Sequence, residues 1–357
     1  MSCGGKKPAE PVVAPWGEIA DTVYSDGDFD LPEIQGSGEM ILLTLTGPQY
    51  YYDYRGRHLG TQYLLAEKFA STLGVRLRVE VCRDSAEMEA RLKADEGDIM
   101  ATTEVGRLVA SPAKEELARE LQAWYKPSLL EEVRRQEAVL LSSRGVRRRI
   151  FSPMLDRKGG IISHYDGFFI QYSRAIRWDW RLMAAQCYQE STFDSRATSF
   201  AGAKGLMQIM PSTADHLGLP RDQMYDPEQN IAAAARYLGQ LERNFSDIRD
   251  RRERTNFVLA AYNGGIHHIR DAMALCQRDG RNAQQWTCVR EYVLKLAQPA
   301  YFNDPIVKYG YMRGTETADY VDKIQQRWLS YRGVKTPHQG FSQEPQKSRR
   351  ERSKYKL

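Results

Sequence analysis

The chain has 357 residues, of which 42% are hydrophobic and 27% charged; this suggests two domains and excludes a wholly disordered protein. Its formal net charge is +5, but the segment 336–357 holds six Lys or Arg against two Glu and supplies most of that charge. The rest of the chain is nearly neutral, which disfavours a basic groove for nucleic acid but is compatible with a basic, disordered tail touching an anionic surface. No run of about 18 apolar residues, as in a membrane-spanning helix, is present.

Residues 1–37 lack hydrophobic periodicity and carry Pro, Gly and Asp, so we predict a flexible linker there. A processed bacterial lipoprotein begins with a lipidated cysteine followed by small polar residues. Cys3 and the two glycines after it fit that pattern, although no apolar signal segment precedes them. We therefore expect a periplasmic protein anchored to the outer membrane through Cys3. An incidental cysteine near a flexible terminus is the alternative.

Residues 38–150 alternate between strand and helix patterns. They predict strands at 41–45, 75–81 and 98–102 and helices at 63–73 and 85–94, with Gly74 as a helix cap. The order βαβαβ with short connections predicts a small parallel sheet covered by helices. Charged surface helices are expected over 115–136. The basic run at 144–149 is interpreted as a solvated linker, since a nucleic-acid patch would have interleaved aromatics.

This α/β segment resembles the first lobe of periplasmic solute-binding proteins of the amino-acid-binding kind. The resemblance rests on the opening strand, on Leu-Ala-Glu-Lys-Phe-Ala at 65–70, on Leu-Gly-Val at 73–75 and on Gly-Asp-Ile at 97–99. It implies a single lobe, because a second would need about as many residues again. Tyr50, Tyr51 and Tyr52 follow the first strand, where an open sheet offers a crevice. They form either an aromatic ligand platform or, the favoured interpretation, a contact with a neighbouring domain.

Residues 160–335 are predicted to form an all-α domain without a strand. Helical patterns occur near 166–176, 179–190, 211–217, 228–244, 253–262, 265–275, 288–295 and 317–330.

Within this domain, Glu190 continues a buried helical face. Met183, Cys187 and Glu190 are spaced i, i+4 and i+7, so they share one stripe, and Glu190 stands at the end of its helix. Partial burial of a carboxyl group favours its neutral form and raises its pKa, as a general acid near neutral pH requires. Taken alone, a structural Glu that pairs with an Arg or caps a helix is the favoured interpretation.

Two later segments supply polar groups of the kind that carbohydrate clefts use. Gln208 interrupts an apolar run, and a buried Gln needs a hydrogen-bond partner or a ligand. Tyr262 and Asn263 precede Gly264 and Gly265 at a predicted helix end, where they would offer a phenol and an amide. For each of these residues considered alone, helix capping or core packing is the favoured interpretation.

Together these segments resemble the lytic murein transglycosylases with a soluble-transglycosylase, goose-lysozyme-like domain. The motifs are Glu-Ser at 190–191, Gly-Ala-Lys-Gly-Leu-Met-Gln-Ile-Met-Pro at 202–211, Ala-Tyr-Asn-Gly-Gly at 261–265 and Glu-Thr at 316–317 with Tyr320. The resemblance covers about residues 162–332. It implies that Glu190 is the catalytic acid/base and that substrate is bound by Ser191, Ser199, Gln208, Met210, Tyr262, Asn263, Glu316 and Tyr320. One departure is Ala318, where the family commonly has Arg.

The resemblance implies cleavage of peptidoglycan glycan strands between N-acetylmuramic acid and N-acetylglucosamine, with no cofactor. Glu190 would protonate the glycosidic oxygen and then deprotonate the muramic 6-hydroxyl, which attacks to give a 1,6-anhydro product. A muramidase-type hydrolase of the same fold and a non-catalytic peptidoglycan-binding scaffold are the alternatives. Together with the resemblance of residues 38–150 to a solute-binding lobe, the transglycosylase resemblance also suggests that this lobe modulates the second domain or binds a muropeptide.

Other polar residues are given structural roles. Asp194 is predicted to cap the turn after Glu190 rather than to act as a second carboxylate. Cys276 and Cys288 flank a polar loop, and we predict that a disulfide closes it. No CxxC or HxxxH pattern accompanies them, so no metal site is predicted.

Overall fold

A computed structural model describes residues 29–141 and 146–333 of the chain. The first domain has five helices within these residues: α1 Leu31–Ser37, α2 Thr61–Leu73, α3 Ser85–Lys93, α4 Glu115–Trp124 and α5 Pro127–Leu141. Its strands are β1 Glu39–Thr44, β2 Tyr52–Tyr54, β3 Arg57–Leu59, β4 Arg76–Val81, β5 Ile99–Ala101 and β6 Leu108–Ala110. The predicted lipid-anchor cysteine, Cys3, and the tail at 336–357 lie outside the described residues.

The main sheet has the strand order β4-β1-β5-β6. β1 pairs in parallel with β4 and with β5, as the βαβαβ pattern predicts. The fourth strand, β6, runs antiparallel to β5, so the predicted all-parallel sheet is wrong at this edge. Three residues are too few for a period-two pattern to be recognised in sequence. Helix α2 ends at Gly74 in the left-handed conformation, as expected.

The predicted linker over residues 1–37 is wrong for its last part. Asp30 and Glu33 form a reciprocal capping box that starts α1, and Ile34 is fully buried in the core of the first domain. The helix is short and has one fully buried residue, so its hydrophobic periodicity is too weak to detect.

A two-stranded hairpin, β2–β3, was not predicted. At its tip, Arg55 and Gly56 have φ of 52° and 72°. Two consecutive left-handed residues make a tight turn that matches the twist of a hairpin, and Gly56 adopts this conformation without strain. We call residues 52–59 the hairpin; its tip reaches the second domain.

The second domain is helical. Its helices are α6 Asp166–Ile176, α7 Trp180–Ser191, α8 Pro211–His216, α9 Pro227–Asn244, α10 Arg251–Gly264, α11 Ile266–Arg278, α12 Trp286–Lys295, α13 Pro299–Phe302 and α14 Gly314–Tyr331. All eight predicted helices are present, and α13 was missed. A small sheet of β7 Val146–Arg147 and β8 Thr198–Ser199 corrects the expectation of no strand. Among the described residues, no helix is both long and apolar enough to cross a membrane.

Aromatic side chains join the two domains. Phe302 and Tyr311 of the second domain belong to the buried core of the first. The ring of Tyr52 packs edge-on against Tyr311 at 5.0 Å between centroids. The Tyr311 N–H donates to Thr46 Oγ1 at 2.9 Å, just beyond the carboxyl end of β1. The crevice of the sheet is therefore filled by the second domain, and packing is the correct interpretation for Tyr52.

The predicted disulfide between Cys276 and Cys288 is absent, and both are free thiols. Cys276 faces the core from α11 and is fully buried, whereas the Cys288 thiol lies near the surface and donates to Gln285 Oε1 at 3.7 Å. Spacing along the sequence does not determine the directions of the two side chains.

Candidate active site

Glu190 lies in the last turn of α7, a helix buried along most of its length. The helix ends in two left-handed residues that are not glycine, Thr192 with φ 55° and Phe193 with φ 64°. Each such residue costs of order 1 kcal/mol or more, so the surrounding contacts must hold this turn in place.

A segment before the helical domain supplies those contacts; we call residues 146–149 the strap. The Arg148 Nη1 donates to the Glu190 carbonyl at 2.7 Å. Thr192 Oγ1 donates to the Arg149 carbonyl at 2.7 Å, and the Arg149 N–H donates to Asp194 Oδ2 at 2.6 Å. The basic run, interpreted as a solvated linker, thus includes residues that fix the end of α7, and this corrects the sequence interpretation. Asp194 stabilises this turn, in agreement with its predicted role.

The Glu190 carboxyl group forms a hydrogen-bond chain with two buried side chains. Tyr320 Oη donates to Glu190 Oε1 at 2.5 Å, and Gln186 Nε2 donates to Tyr320 Oη at 3.2 Å. Burial raises the pKa of Glu190 to about 7, although the Tyr320 hydrogen bond and the charges of Arg55 and Arg148 act in the opposite direction. A carboxyl group with this pKa can give up and retake a proton near neutral pH.

Gln208 occupies a strained position in the loop opposite. Its φ is 48°, and its Nε2 donates to the carbonyls of Gly205 and Ala197 at 2.9 and 3.2 Å. Its Oε1 is buried and has no hydrogen-bond partner among the described residues. This side chain therefore keeps one acceptor available, in line with the expectation that a buried Gln needs a partner or a ligand.

Asn230, which sequence reasoning missed, fixes the shape of this loop. It is fully buried in the first turn of α9. Its Oδ1 accepts from Met207 N at 2.8 Å, and its Nδ2 donates to the carbonyls of Met224 and Lys204 at 2.8 and 3.1 Å. A side chain on Gly205, whose φ is 79°, would overlap Asn230. The available signal was an Asn immediately before an apolar helical run.

Tyr262 and Asn263 end α10 between the loop and α14. Tyr262 Oη donates to the Met207 carbonyl at 2.8 Å, and its ring is tilted against Tyr237. Asn263 Oδ1 accepts from Thr317 Oγ1 at 2.9 Å. Both side chains are partly buried and connect the segments around Glu190 to one another.

The other predicted substrate-binding residues differ in their surroundings. Ser199 lies in β8, where its Oγ accepts from Ala203 N at 2.9 Å. Met210 is partly exposed and lies beside the tip of the hairpin, where a Cβ on Gly56 would be 3.3 Å from Met210 Cγ. Ser191 has no exposed surface, and its Oγ donates to the Cys187 carbonyl at 3.2 Å. The Ser191 hydroxyl therefore faces the core, and its contact with substrate stays a prediction.

Glu316 is the point where the first domain joins the site. Tyr54 Oη donates to Glu316 Oε2 at 2.5 Å, and Arg313 Nε donates to its Oε1 at 2.9 Å. Arg55 Nη2 lies 3.6 Å from Oε2. Ala318, which departs from the family pattern, is buried, so the guanidinium groups beside Glu316 come from Arg313 and the hairpin.

Within residues 29–141 and 146–333, no group of three or more His, Cys, Asp or Glu side chains could hold a metal ion.

Residues 167–285 match the family described as Transglycosylase SLT domain. The chain is 41% identical over 146 residues to membrane-bound lytic murein transglycosylase F of Desulfosudis oleivorans, covering 41% of this chain and 31% of that protein. It is 38% identical to the protein of the same name from Maricaulis maris, covering 46% and 35%. The matches thus span about a third of these relatives' length.

Two solved structures are also similar. An inactive mutant of lytic transglycosylase Slt from Pseudomonas aeruginosa has 24% identity and a TM-score of 0.34, covering 61% of this chain and 29% of that one. The 70 kDa soluble lytic transglycosylase from Escherichia coli has 26% identity and a TM-score of 0.32, covering 47% and 24%.

Proposed function

We propose that this protein, which carries a transglycosylase SLT domain, cleaves the β-1,4 bond between N-acetylmuramic acid and N-acetylglucosamine in peptidoglycan and leaves a 1,6-anhydro sugar. The observation that carries the proposal is Glu190 itself: a partly buried carboxyl group with a pKa of about 7, held by Tyr320. The neighbouring carboxylates are committed elsewhere. Asp194 accepts two backbone hydrogen bonds, and Glu316 pairs with Arg313.

A single carboxyl group can perform both proton transfers of this reaction. Protonated Glu190 gives its proton to the glycosidic oxygen as the bond breaks, and the substrate's acetamido group stabilises the charge at the anomeric carbon. The ionised Glu190 accepts a hydrogen bond from Tyr320, which stabilises its negative charge. It then takes the proton of the muramic 6-hydroxyl, whose oxygen closes the anhydro ring. This route differs from the usual pair of glycosidase carboxylates.

For the first domain we propose a single lobe of the solute-binding kind whose crevice is occupied by the second domain. Muropeptides are the ligand class proposed for this lobe, and one entering the crevice would have to displace Tyr311. Calorimetric titration of a muropeptide into the chain tests this. If the heat of muropeptide binding differs between Tyr311→Ala and the wild type, binding in the crevice is supported. If the heat changes only in variants of the Glu190 site, binding in the crevice is contradicted.

We propose a periplasmic location with a lipid anchor at Cys3. Metabolic labelling with a radioactive fatty acid should mark the native chain in its bacterial host, and a Cys3→Ser variant should stay unlabelled. Equal labelling of both, or of neither, contradicts the anchor.

Digestion of purified peptidoglycan followed by mass spectrometry tests the activity. We expect anhydro-muropeptides, each one water lighter than the corresponding reducing product, and we expect their loss in Glu190→Gln. Reducing ends would instead identify a hydrolase. Retained turnover in Glu190→Gln would remove the catalytic assignment, and the absence of any product from the folded wild type would favour a binding scaffold.

A further inference from the structure

The tip of the hairpin contacts the second domain on two sides of the Glu190 site, which we call its two walls: the segment at 200–210 and helix α14. On one side, Arg57 Nη1 donates to the Phe200 carbonyl at 3.2 Å, and a Cβ on Gly56 would lie 3.3 Å from Met210 Cγ. On the other side, Tyr54 Oη donates to Glu316 on α14 at 2.5 Å. Because both walls hold it, the first domain presents its tip residue, Arg55, at a fixed position beside the cleft.

Arg55 retains positive charge that the protein does not neutralise. Its partner Glu316 lies 3.6 Å away and also accepts a closer hydrogen bond from Arg313 at 2.9 Å. One carboxylate thus faces two guanidinium groups. The Arg55 side chain is 44% exposed, so a ligand in the cleft can reach it.

Arg148 provides a second guanidinium on the strap. Its Nη1 donates hydrogen bonds to the carbonyls of Glu190 and Gln189, at 2.7 and 3.4 Å. It forms no ion pair with a carboxylate in the part of the chain that the structure describes, and the residue is exposed. Guanidinium groups present several N–H donors in a planar fork, which leaves Nη2 and Nε for a further acceptor.

The two arginines act on the same carboxyl group. Burial raises the pKa of Glu190, and the charges of Arg55 and Arg148 both act against that rise. Burial lowers the pKa of Arg148, and the charge of Arg55 lowers it further. Two positive groups therefore lie near an acid that must be neutral to start the reaction. An anion bound between the two guanidinium groups would reduce their lowering of the Glu190 pKa and would therefore favour the protonated acid.

We propose that Arg55 and Arg148 form a carboxylate-binding site beside Glu190 that takes the acidic side group of a muramic acid residue in the glycan. Planar, bidentate recognition of carboxylate is the interaction for which guanidinium groups are best suited. The inference rests on the proposed function, since it names a feature of the same substrate. It makes the first domain a direct contributor to substrate binding. Two sources carry this chemistry: the lactyl carboxylate of an unsubstituted muramic acid, and the carboxylates of its stem peptide.

Binding measurements on Glu190→Gln, which blocks turnover, test the site. Calorimetry would compare three glycans of equal length: an oligosaccharide of alternating N-acetylmuramic acid and N-acetylglucosamine, its peptide-bearing form, and an uncharged N-acetylglucosamine oligosaccharide. Adding Arg55→Gln should weaken binding of at least one acidic glycan about five- to tenfold and leave the uncharged one unchanged. An effect on the peptide-free form identifies the lactyl carboxylate as ligand, and an effect confined to the peptide-bearing form identifies the stem peptide.

Two further variants complete the design. Arg148→Gln should also weaken binding of an acidic glycan and leave the uncharged glycan unchanged. Thermal melting checks that this variant is folded. If it is not, Arg55→Gln, on the exposed tip of the hairpin, is sufficient to test the site. Arg83→Gln, an exposed arginine of the first domain, is the matched control and should bind all three glycans normally. Equal weakening of all three glycans by Arg55→Gln, or no weakening of either acidic one, overturns the inference.

The same variants separate this inference from the proposed function. Wild-type cleavage without selective loss in Arg55→Gln refutes the arginine site alone. Selective loss of acidic-glycan binding in a chain that cleaves no peptidoglycan refutes the proposed activity alone.

Discussion

Replacing Tyr320 with Phe tests how the protein sets the acidity of Glu190. Tyr320 Oη donates to Glu190 Oε1 at 2.5 Å and is one of the contacts that lower the pKa of Glu190. The hydrogen bond stabilises the ionised carboxylate more than the neutral acid. Without it, the pKa of Glu190 should rise above about 7.

The size of this shift follows from the difference between two hydrogen bonds. A hydrogen bond to a charged group contributes about 1.5–3 kcal/mol and one to a neutral group about 0.5–1.5 kcal/mol. The difference is about 1–1.5 kcal/mol, which corresponds to about one pKa unit. The general acid must carry a proton, so kcat/KM should fall as pH rises through the pKa of Glu190. In Tyr320→Phe this alkaline limb should move about one pH unit higher, while the maximal rate falls because the ionised intermediate state loses a donor.

The assay is the rate of soluble muropeptide release from purified peptidoglycan across the pH range. Tyr172→Phe is the matched control, since Tyr172 Oη also donates to a carboxylate, that of Glu228 at 2.8 Å. Its alkaline limb should stay in place. An unchanged limb in Tyr320→Phe, or a shift to lower pH, would refute the reasoning about Glu190.

Three further predictions concern stability and the domain contact. The pKa of Glu190 is raised from 4.5 to about 7, so the unfolded chain releases this proton at lower pH than the folded protein does. The free energy of unfolding should therefore fall as pH rises from about 4.5 to about 7. Glu190→Gln should therefore stabilise the fold by about 3 kcal/mol near pH 8 and by almost nothing near pH 4 in urea titrations; equal effects at both would contradict the burial of this carboxyl group. Asn230→Ala removes three buried hydrogen bonds and should cost about 3 kcal/mol, with lower activity in the remaining folded protein; a loss below about 1 kcal/mol would show that the loop holds without it. Tyr311→Ala opens the aromatic contact with Tyr52 and should cost about 3 kcal/mol by thermal or urea unfolding, whereas Tyr309→Ala, at an exposed ring nearby, should cost less; the reverse order would contradict a buried domain contact.

Local patterns were sufficient for much of the fold. The helices of the second domain have three-residue to four-residue hydrophobic spacing and clear caps, so their positions follow from sequence. The spacing of Met183, Cys187 and Glu190 likewise placed a carboxyl group at the end of a buried face. Tyr320, far along the chain, needed the family resemblance before it could be set beside Glu190.

The residues that were missed act through contacts between distant segments. Arg148 donates to the Glu190 carbonyl across 42 positions, and Tyr54 reaches Glu316 across 262. No periodic pattern encodes such pairs, and the strands that carry or flank them are two or three residues long. Asn230 had a weak local signal, but a buried Asn has a recognisable partner only once the loop at 204–208 is in place.

The most direct measurement is digestion of peptidoglycan in water enriched in heavy oxygen. We predict that the muramic 6-hydroxyl, not water, attacks after Glu190 acts, so the new ends should be anhydro sugars without the label. The same digestion with Glu190→Gln should release nothing. Labelled reducing ends in the primary products would contradict the central claim and assign the attack to water.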